Sequence, residues 1–279
     1  MIATELDHVS WVARDISIHA EFEALGFRLT PLATQYGILM PGGPLLRFGA
    51  ANRRAMLRQG YLELLGITDP SLPMNGLDRL ADRYEDLHVL AFGMDDPAAN
   101  LTRLRRGKLP FAGVLTSERP FNDAEPDGPR ARFARLTMPD APEGRMQLLQ
   151  HLTPGLLWQE PFLAHPNRAI ALEAAILAVE HPAETAARLA RFAGRPAGPE
   201  PAGGYALDLP HGRVRIVPPA ALATLLPGIS LPVLPFFAAA MVRVEDGGAA
   251  IRTILGGAAH EVPGGIMAMV GGGAVVFTA

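Results

Sequence analysis

Two histidines of this chain stand at matched places: His8 lies seven residues before Asp15, and His88 lies seven before Asp95. Each opens an apolar run that ends in an acidic residue and leads into an amphipathic segment, Leu6 to Asp15 and Leu87 to Asp95. Two further runs repeat the plan, Leu172 to Glu180 and Phe237 to Glu245, with Glu173 and Ala238 in the place of the histidine. Imidazoles and carboxylates are the groups that bind divalent metals and move protons. A unit that recurs with them at one matched place predicts a pocket built by duplication. Glu63 is the third candidate, set among apolar neighbours in Tyr61-Leu62-Glu63-Leu64-Leu65-Gly66. A carboxylate buried there without a partner would be costly or would take up a proton. Glu63 is therefore a metal ligand or catalytic base, an ion-pair partner of an arginine such as Arg53, or exposed. The alternation of a strand puts Tyr61, Glu63 and Leu65 on one face, so Tyr61 shares any pocket that Glu63 enters.

The elements that must carry these residues follow from periodicity. Residues 6–14 alternate, with Leu6, His8, Ser10 and Val12 on one face and Asp7, Val9, Trp11 and Ala13 on the other. Asp15 reads as the N-cap of a helix that Gly26 ends. Phe27–Thr30, residues 50–57 and residues 61–66 read as strands, the last two joined by a turn at Gln59-Gly60. The order strand, helix, three strands recurs: a strand at 87–94, Asp95 as cap, a helix over 98–106, and strands near 111–116, 131–137 and 145–151. A proline-bearing crossover over 152–167 leads to a strand at 170–179, a helix at 182–193, and strands near 205–209 and 213–217. After a proline-flanked stretch at 218–235, a strand at 236–244, a helix at 247–255 and short strands at 266–270 and 274–278 close the chain. Gly271-Gly272-Gly273 reads as a hairpin turn, because no helix follows to make it a phosphate loop.

Composition bounds the function. With 279 residues the chain exceeds one average domain, and a charged fraction of only 19% argues for folded cores. A net charge of −3 gives no electrostatic case for nucleic acid, and the arginines read as scattered or as solvated helix faces. Zero cysteines exclude disulfides, thiolate nucleophiles and cysteine-bound metal. No signal-like start and no run long enough to span a bilayer predict a soluble, cytoplasmic protein without membrane partners.

Strand-helix-three-strands repeated in pairs resembles the vicinal oxygen chelate superfamily, which includes glyoxalase I, extradiol dioxygenases and bleomycin-binding proteins. The chain is most similar to its bacterial glyoxalase-like domain proteins. That likeness lies in Leu6-Asp7-His8-Val9, Gly49-Ala50-Ala51-Asn52-Arg53, Gly60-Tyr61-Leu62-Glu63-Leu64-Leu65 and Gln150-His151-Leu152-Thr153-Pro154, with Trp158 and His165-Pro166-Asn167. The resemblance implies an α+β fold of four βαβββ modules paired into two half-open barrels. Residues 1–160 are the expected glyoxalase-like domain, and 168–279 a degenerate copy with two shortened modules. It also implies metal ligands from the first and fourth strands of each unit: His8, Glu63, His88 and Gln147, the last a departure from the glutamate common there. Such a set would suit Fe(II), Mn(II), Ni(II) or Zn(II) with open positions for a small oxygen-chelating substrate, and Glu63 would double as the catalytic base. Beside it, Asn52, Arg53, Tyr61 and His151 are the expected substrate-contacting residues. Arg53 would grip a carboxylate or phosphate or form a structural salt bridge, and His151 would contact ligand or tie the crossover. In the third unit, a Glu173–arginine pair is the simpler expectation than a second metal site. The implied activity is that of a metal-dependent lyase, isomerase or dioxygenase. The alternative is a metal-free protein that binds an antibiotic or aromatic ligand, as bleomycin-resistance proteins do. Homodimers are common among proteins of this kind.

Overall fold

The computed structural model describes residues 2–279. The chain opens with β1 (Leu6–Ala13), followed by α1 (Ile18–Ala24), β2 (Ala33–Gly37), β3 (Leu46–Met56) and β4 (Tyr61–Ile67). A second round adds α2 (Leu77–Arg83), β5 (Asp86–Gly93), α3 (Pro97–Arg106), β6 (Leu115–Pro120), β7 (Arg130–Thr137) and β8 (Arg145–His151). These strands make one eight-stranded sheet in the order β2-β3-β4-β1-β5-β8-β7-β6. β1 pairs parallel with β4 and antiparallel with β5, and β5 pairs parallel with β8. The two rounds thus meet back to back along the β1–β5 seam. The sheet curls until Gln35 of β2 and Ser117 of β6, its two edge strands, line one cavity. The right-handed twist of strands produces such curling, and near-closure keeps the edges from pairing with other chains.

The second half has the same plan. β9 (Ala169–Ala178), α4 (Pro182–Ala193), β10 (Ala197–Pro199), β11 (Tyr205–Asp208) and β12 (Arg213–Val217) come first. They are followed by α5 (Pro219–Leu225), β13 (Phe236–Val244), α6 (Ala249–Leu255), β14 (His260–Val262), β15 (Gly265–Val270) and β16 (Gly273–Thr278). The strand order, β10-β11-β12-β9-β13-β16-β15-β14, matches that of the first sheet position for position. The fold is α+β, built from paired half-open barrels. Its edges are short, since β10 and β14 have three residues each. The two sheets share one apolar core, in which Leu6, Trp11 and Phe92 of the first half pack with Leu172, Phe192 and Phe277 of the second. Burial of each such side chain contributes about 1.5–3 kcal/mol. Among the described residues no helix is long and apolar enough to cross a membrane.

Several local expectations need correction. Phe27–Thr30 forms no strand beyond a single bridge from Leu29 to Ala55. Pro31 follows and lacks the N–H that a ladder needs, so the edge strand starts at Ala33. Asp15 does not cap α1 directly; it accepts the Ser17 N–H at 2.7 Å, one turn ahead of the helix. Asp96, not Asp95, caps α3 and accepts the Ala99 N–H at 2.9 Å. Two short helices, α2 and α5, occupy stretches to which the sequence pattern assigns no element.

Candidate functional site

The concave face of the first sheet encloses a cavity of about 70 Å³. Alternation along the strands supplies its walls: His8 from β1, Tyr61, Glu63 and Leu65 from β4, and Arg145, Gln147 and Leu149 from β8. Phe133 and Arg135 come from β7, and Arg119 from β6. Leu157 and Trp158 of the crossover plug one end against Tyr61, Phe133 and Leu149. At the other, Leu77 and Ala81 of α2 pack on Val12, Leu65 and Val89. Gly60 sets the register of β4: it turns with φ +71°, and a Cβ there would come within 2.9 Å of the Asp7 carbonyl oxygen.

Glu63 is held on both oxygens. Its strand neighbours are Ser10 on β1 and Arg54 on β3. Ser10 Oγ donates to Oε2 at 2.7 Å, and the Asn52 amide donates to Oε1. Arg54 in turn donates to Asn52 Oδ1 at 3.1 Å. Burial by itself would raise the Glu63 carboxyl, but His8, Arg54, the Ser10 hydrogen bond and Arg119 together outweigh it and hold the group below its ordinary range. The carboxylate is therefore ionised and fixed, with only 13% of its side chain exposed.

Beside it stands a chain of three residues. Asp7 accepts from His8 Nδ1 at 2.5 Å and from His151 Nε2 at 2.9 Å. Burial would raise the Asp7 carboxyl, but the two imidazoles pull it well below its usual value. A carboxylate only accepts, so His8 carries its proton on Nδ1 and presents Nε2 to the cavity. The Gln147 amide nitrogen lies 3.3 Å from Nε2, and Glu63 Oε2 lies 3.9 Å away. The Gln147 carbonyl oxygen is buried with no partner. Tyr61 stacks on His8 at 4.5 Å, and burial, with Asp7 and Glu63 nearby, raises its phenol well above the ordinary value.

Guanidinium groups make up the rest of the polar wall. Arg119 is 4% exposed and donates only a long 3.5 Å bond to the Pro120 carbonyl. Burial and the nearby Arg54 push its pKa down to about 9. Arg135 Nε has no partner, and burial lowers that group too. Arg145 donates to the Asn75 carbonyl, and burial together with Arg135 lowers it to about 10. Behind the wall Arg54 is fully buried, with Nε and one terminal nitrogen unpartnered.

The structure thus gathers His8, Glu63, Gln147 and Tyr61 at the cavity, with Asn52 bonded to Glu63. It does not bring His88 to them. That imidazole lies on the other face of β5, donates from Nε2 to the Tyr84 carbonyl at 2.6 Å and stacks on the Tyr84 ring at 3.9 Å. Val89 lines the cavity in its stead. Arg53 likewise points outward, to Glu23 at 2.7 Å and the Thr30 carbonyl at 2.9 Å, while its neighbour Arg54 faces inward. His151 reaches Asp7 rather than the cavity, so it ties the strand ends. Trp158, His165 and Asn167 pin the crossover through the Leu57, Met56 and Leu25 carbonyls. Arg119, Arg135 and Arg145 were not among the expected residues. Parity could have found two of them, since Arg145 and Gln147 share a face of β8, as do Phe133 and Arg135 on β7.

A divalent ion does not fit this donor set. Among the described residues no three of His, Cys, Asp and Glu stand close enough to share one. One imidazole, one clamped carboxylate and a neutral amide would have to hold a dication beneath three guanidiniums, whose like charge opposes it.

Comparison with known proteins agrees with this fold. A family model described as "Glyoxalase-like domain" matches residues 6–193. A hypothetical protein from Staphylococcus aureus is 12% identical with a TM-score of 0.69, over 98% of each chain. A mutant 4-hydroxymandelate synthase from Streptomyces coelicolor is 13% identical, TM-score 0.59, over 99% of this chain and 92% of that one. The 2,2',3-trihydroxybiphenyl 1,2-dioxygenase of Sphingomonas wittichii is 14% identical, TM-score 0.52, over 99% and 90%. At such identities the likeness is one of fold. Among curated proteins none matches this chain.

Proposed function

Because the chain belongs to the glyoxalase-like domain family, within the vicinal oxygen chelate superfamily, we propose that it is an enzyme of the lyase or isomerase type. It would act on a small oxygen-rich molecule in the cavity of the first sheet, with Glu63 as the carboxylate that transfers the proton. One observation carries this reading: among the described residues Glu63 is the only carboxylate lining the cavity, and Ser10 and Asn52 hold it ionised and aimed there. A fixed carboxylate facing a cavity wall of hydrogen-bond donors suits removal of a proton next to a carbonyl. The negative charge that then develops on the carbonyl oxygen would be met by Arg119, Arg135 or Arg145 without reorganisation. His8 Nε2, backed by Asp7, is a second group able to take up or return a proton 3.9 Å from Glu63. Ring cleavage is supported less well, because the second imidazole it would use, His88, lies on the far face of the sheet.

Solvent-deuterium exchange tests the proposal. Small 2-hydroxy and 2-oxo carbonyl compounds are incubated with the protein in D2O, with and without added Fe(II), Mn(II), Ni(II) or Zn(II), and followed by NMR. Exchange next to the carbonyl of at least one compound, lost in Glu63→Gln, is the expected result. Binding of a compound without exchange would replace the enzyme reading with that of a binding protein.

A further inference from the structure

We infer that the ligand of the first cavity carries an oxyanion, a carboxylate or phosphate, which seats on Arg119, Arg135 and Arg145. The inference rests on the proposed function only for the choice of cavity; the charge argument stands without Glu63 acting as a base. Three guanidiniums line the cavity and face a single carboxylate, Glu63, which is already bonded to Ser10 and Asn52. Desolvating one arginine without a counter-ion is costly, and grouping several multiplies the cost by their repulsion. Elsewhere in this protein two half-buried arginines are neutralised: Arg215 Nε lies 2.7 and 3.0 Å from the two carboxylate oxygens of Glu200, and Arg188 pairs with the buried Glu143. Around the first cavity they are not. Among the described residues Arg119 has no ion-pair partner, Arg135 leaves Nε without an acceptor, and Arg145 meets only a backbone carbonyl. Groups left in this state are arranged for an acceptor from outside, and the planar guanidinium matches two oxygens of a carboxylate or phosphate.

The arrangement also says what the anion would do. Arg119 is among the groups that hold the Glu63 carboxyl low. An anion seated on Arg119 would offset that contribution, the smallest of those acting on Glu63, while His8, Arg54 and the Ser10 hydrogen bond still hold the carboxyl low.

Calorimetric titration of the full chain with inorganic phosphate and with malonate, at ionic strength matched by sodium chloride, tests the inference; neutral malonamide is the control. Binding of phosphate alone assigns a phosphoryl group and binding of malonate alone a carboxylate; either supports the proposal. Arg119→Gln and Arg135→Gln should each weaken that binding about tenfold or more, while Arg213→Gln in the second sheet leaves it unchanged. Glu63→Gln should tighten it, so a protein that binds anions but exchanges no protons contradicts the proposed function and leaves this inference standing. Circular dichroism confirms that each variant is folded, and Arg135→Lys, which keeps the charge, should retain part of the affinity. Failure of both dianions to bind better than chloride, or equal binding by the arginine variants, would overturn it.

Discussion

The two sheets share strand order and pairing, yet their concave faces treat charge in opposite ways. In the second, Glu173 meets Arg243 at 3.5 Å and accepts from Thr278 at 2.7 Å. Arg215 pairs with Glu200 at 2.7 Å, and Arg213 with Asp208 at 3.0 Å. The expected Glu173–arginine pair therefore forms, with Arg243 of β13 as the arginine. Leu222 and Leu225 of α5 pack against Ile176 and Phe236 on the same concave side. The second cavity is the larger, about 620 Å³ against 70 Å³, so size does not single out the proposed site. Unsatisfied charge does. A duplicated fold can retire one site by completing its ion pairs and keep the other by leaving them open.

Four substitutions or titrations sharpen or break this contrast. The largest effect belongs to the carboxylates. Glu63→Gln should lower solvent-deuterium exchange by about 10²–10⁴-fold, while Glu173→Gln leaves it unchanged. A comparable loss in both would erase the distinction. Next comes stability in urea. Glu200→Gln strands Arg215, whose side chain is only 13% exposed, and should cost about 3 kcal/mol.

A third measurement probes the seam between the sheets, where Tyr84 stacks on His88 and packs against Phe236. Burial pushes His88 down to about 4 from its ordinary 6.5. The unfolded chain therefore takes up the proton first as pH falls. The stability tied to His88 is complete above pH 6.5 and drains away toward pH 4, on the order of 3 kcal/mol in all. His88→Gln should remove one proton from the acid slope of stability, which His19 and His165, also lowered by burial, will still maintain. An unchanged slope would contradict this placement. The smallest effect is expected from Arg119→Met. Removing an unpaired buried cation should leave stability unchanged or raise it by about 1 kcal/mol in the same urea melts. A loss near that of Glu200→Gln would show that Arg119 is paired after all.

Much of this was readable from the residues, and the exceptions have physical causes. The repeated strand-helix units gave the fold, and the alternation of Tyr61, Glu63 and Leu65 gave the floor of the cavity. His88 misled because its spacing was counted from Asp95. The residue that caps α3 is Asp96, and seven residues before it stands Val89, which does face the cavity. A slip of one residue turns every side chain of a strand to its other face. The same parity separates Arg53 from Arg54. The arginine wall was missed for a different reason: a net charge near zero says nothing about whether individual cations are paired, and pairing is a property of tertiary contact.

The central claim, that the first cavity holds uncompensated positive charge and the second does not, can be imaged directly. Crystals of the full chain soaked in selenate at matched chloride should show an anomalous selenium peak against Arg119, Arg135 and Arg145, and none on the concave face around Arg213 and Arg215. Selenate bound at the second face with none at the first would contradict the account.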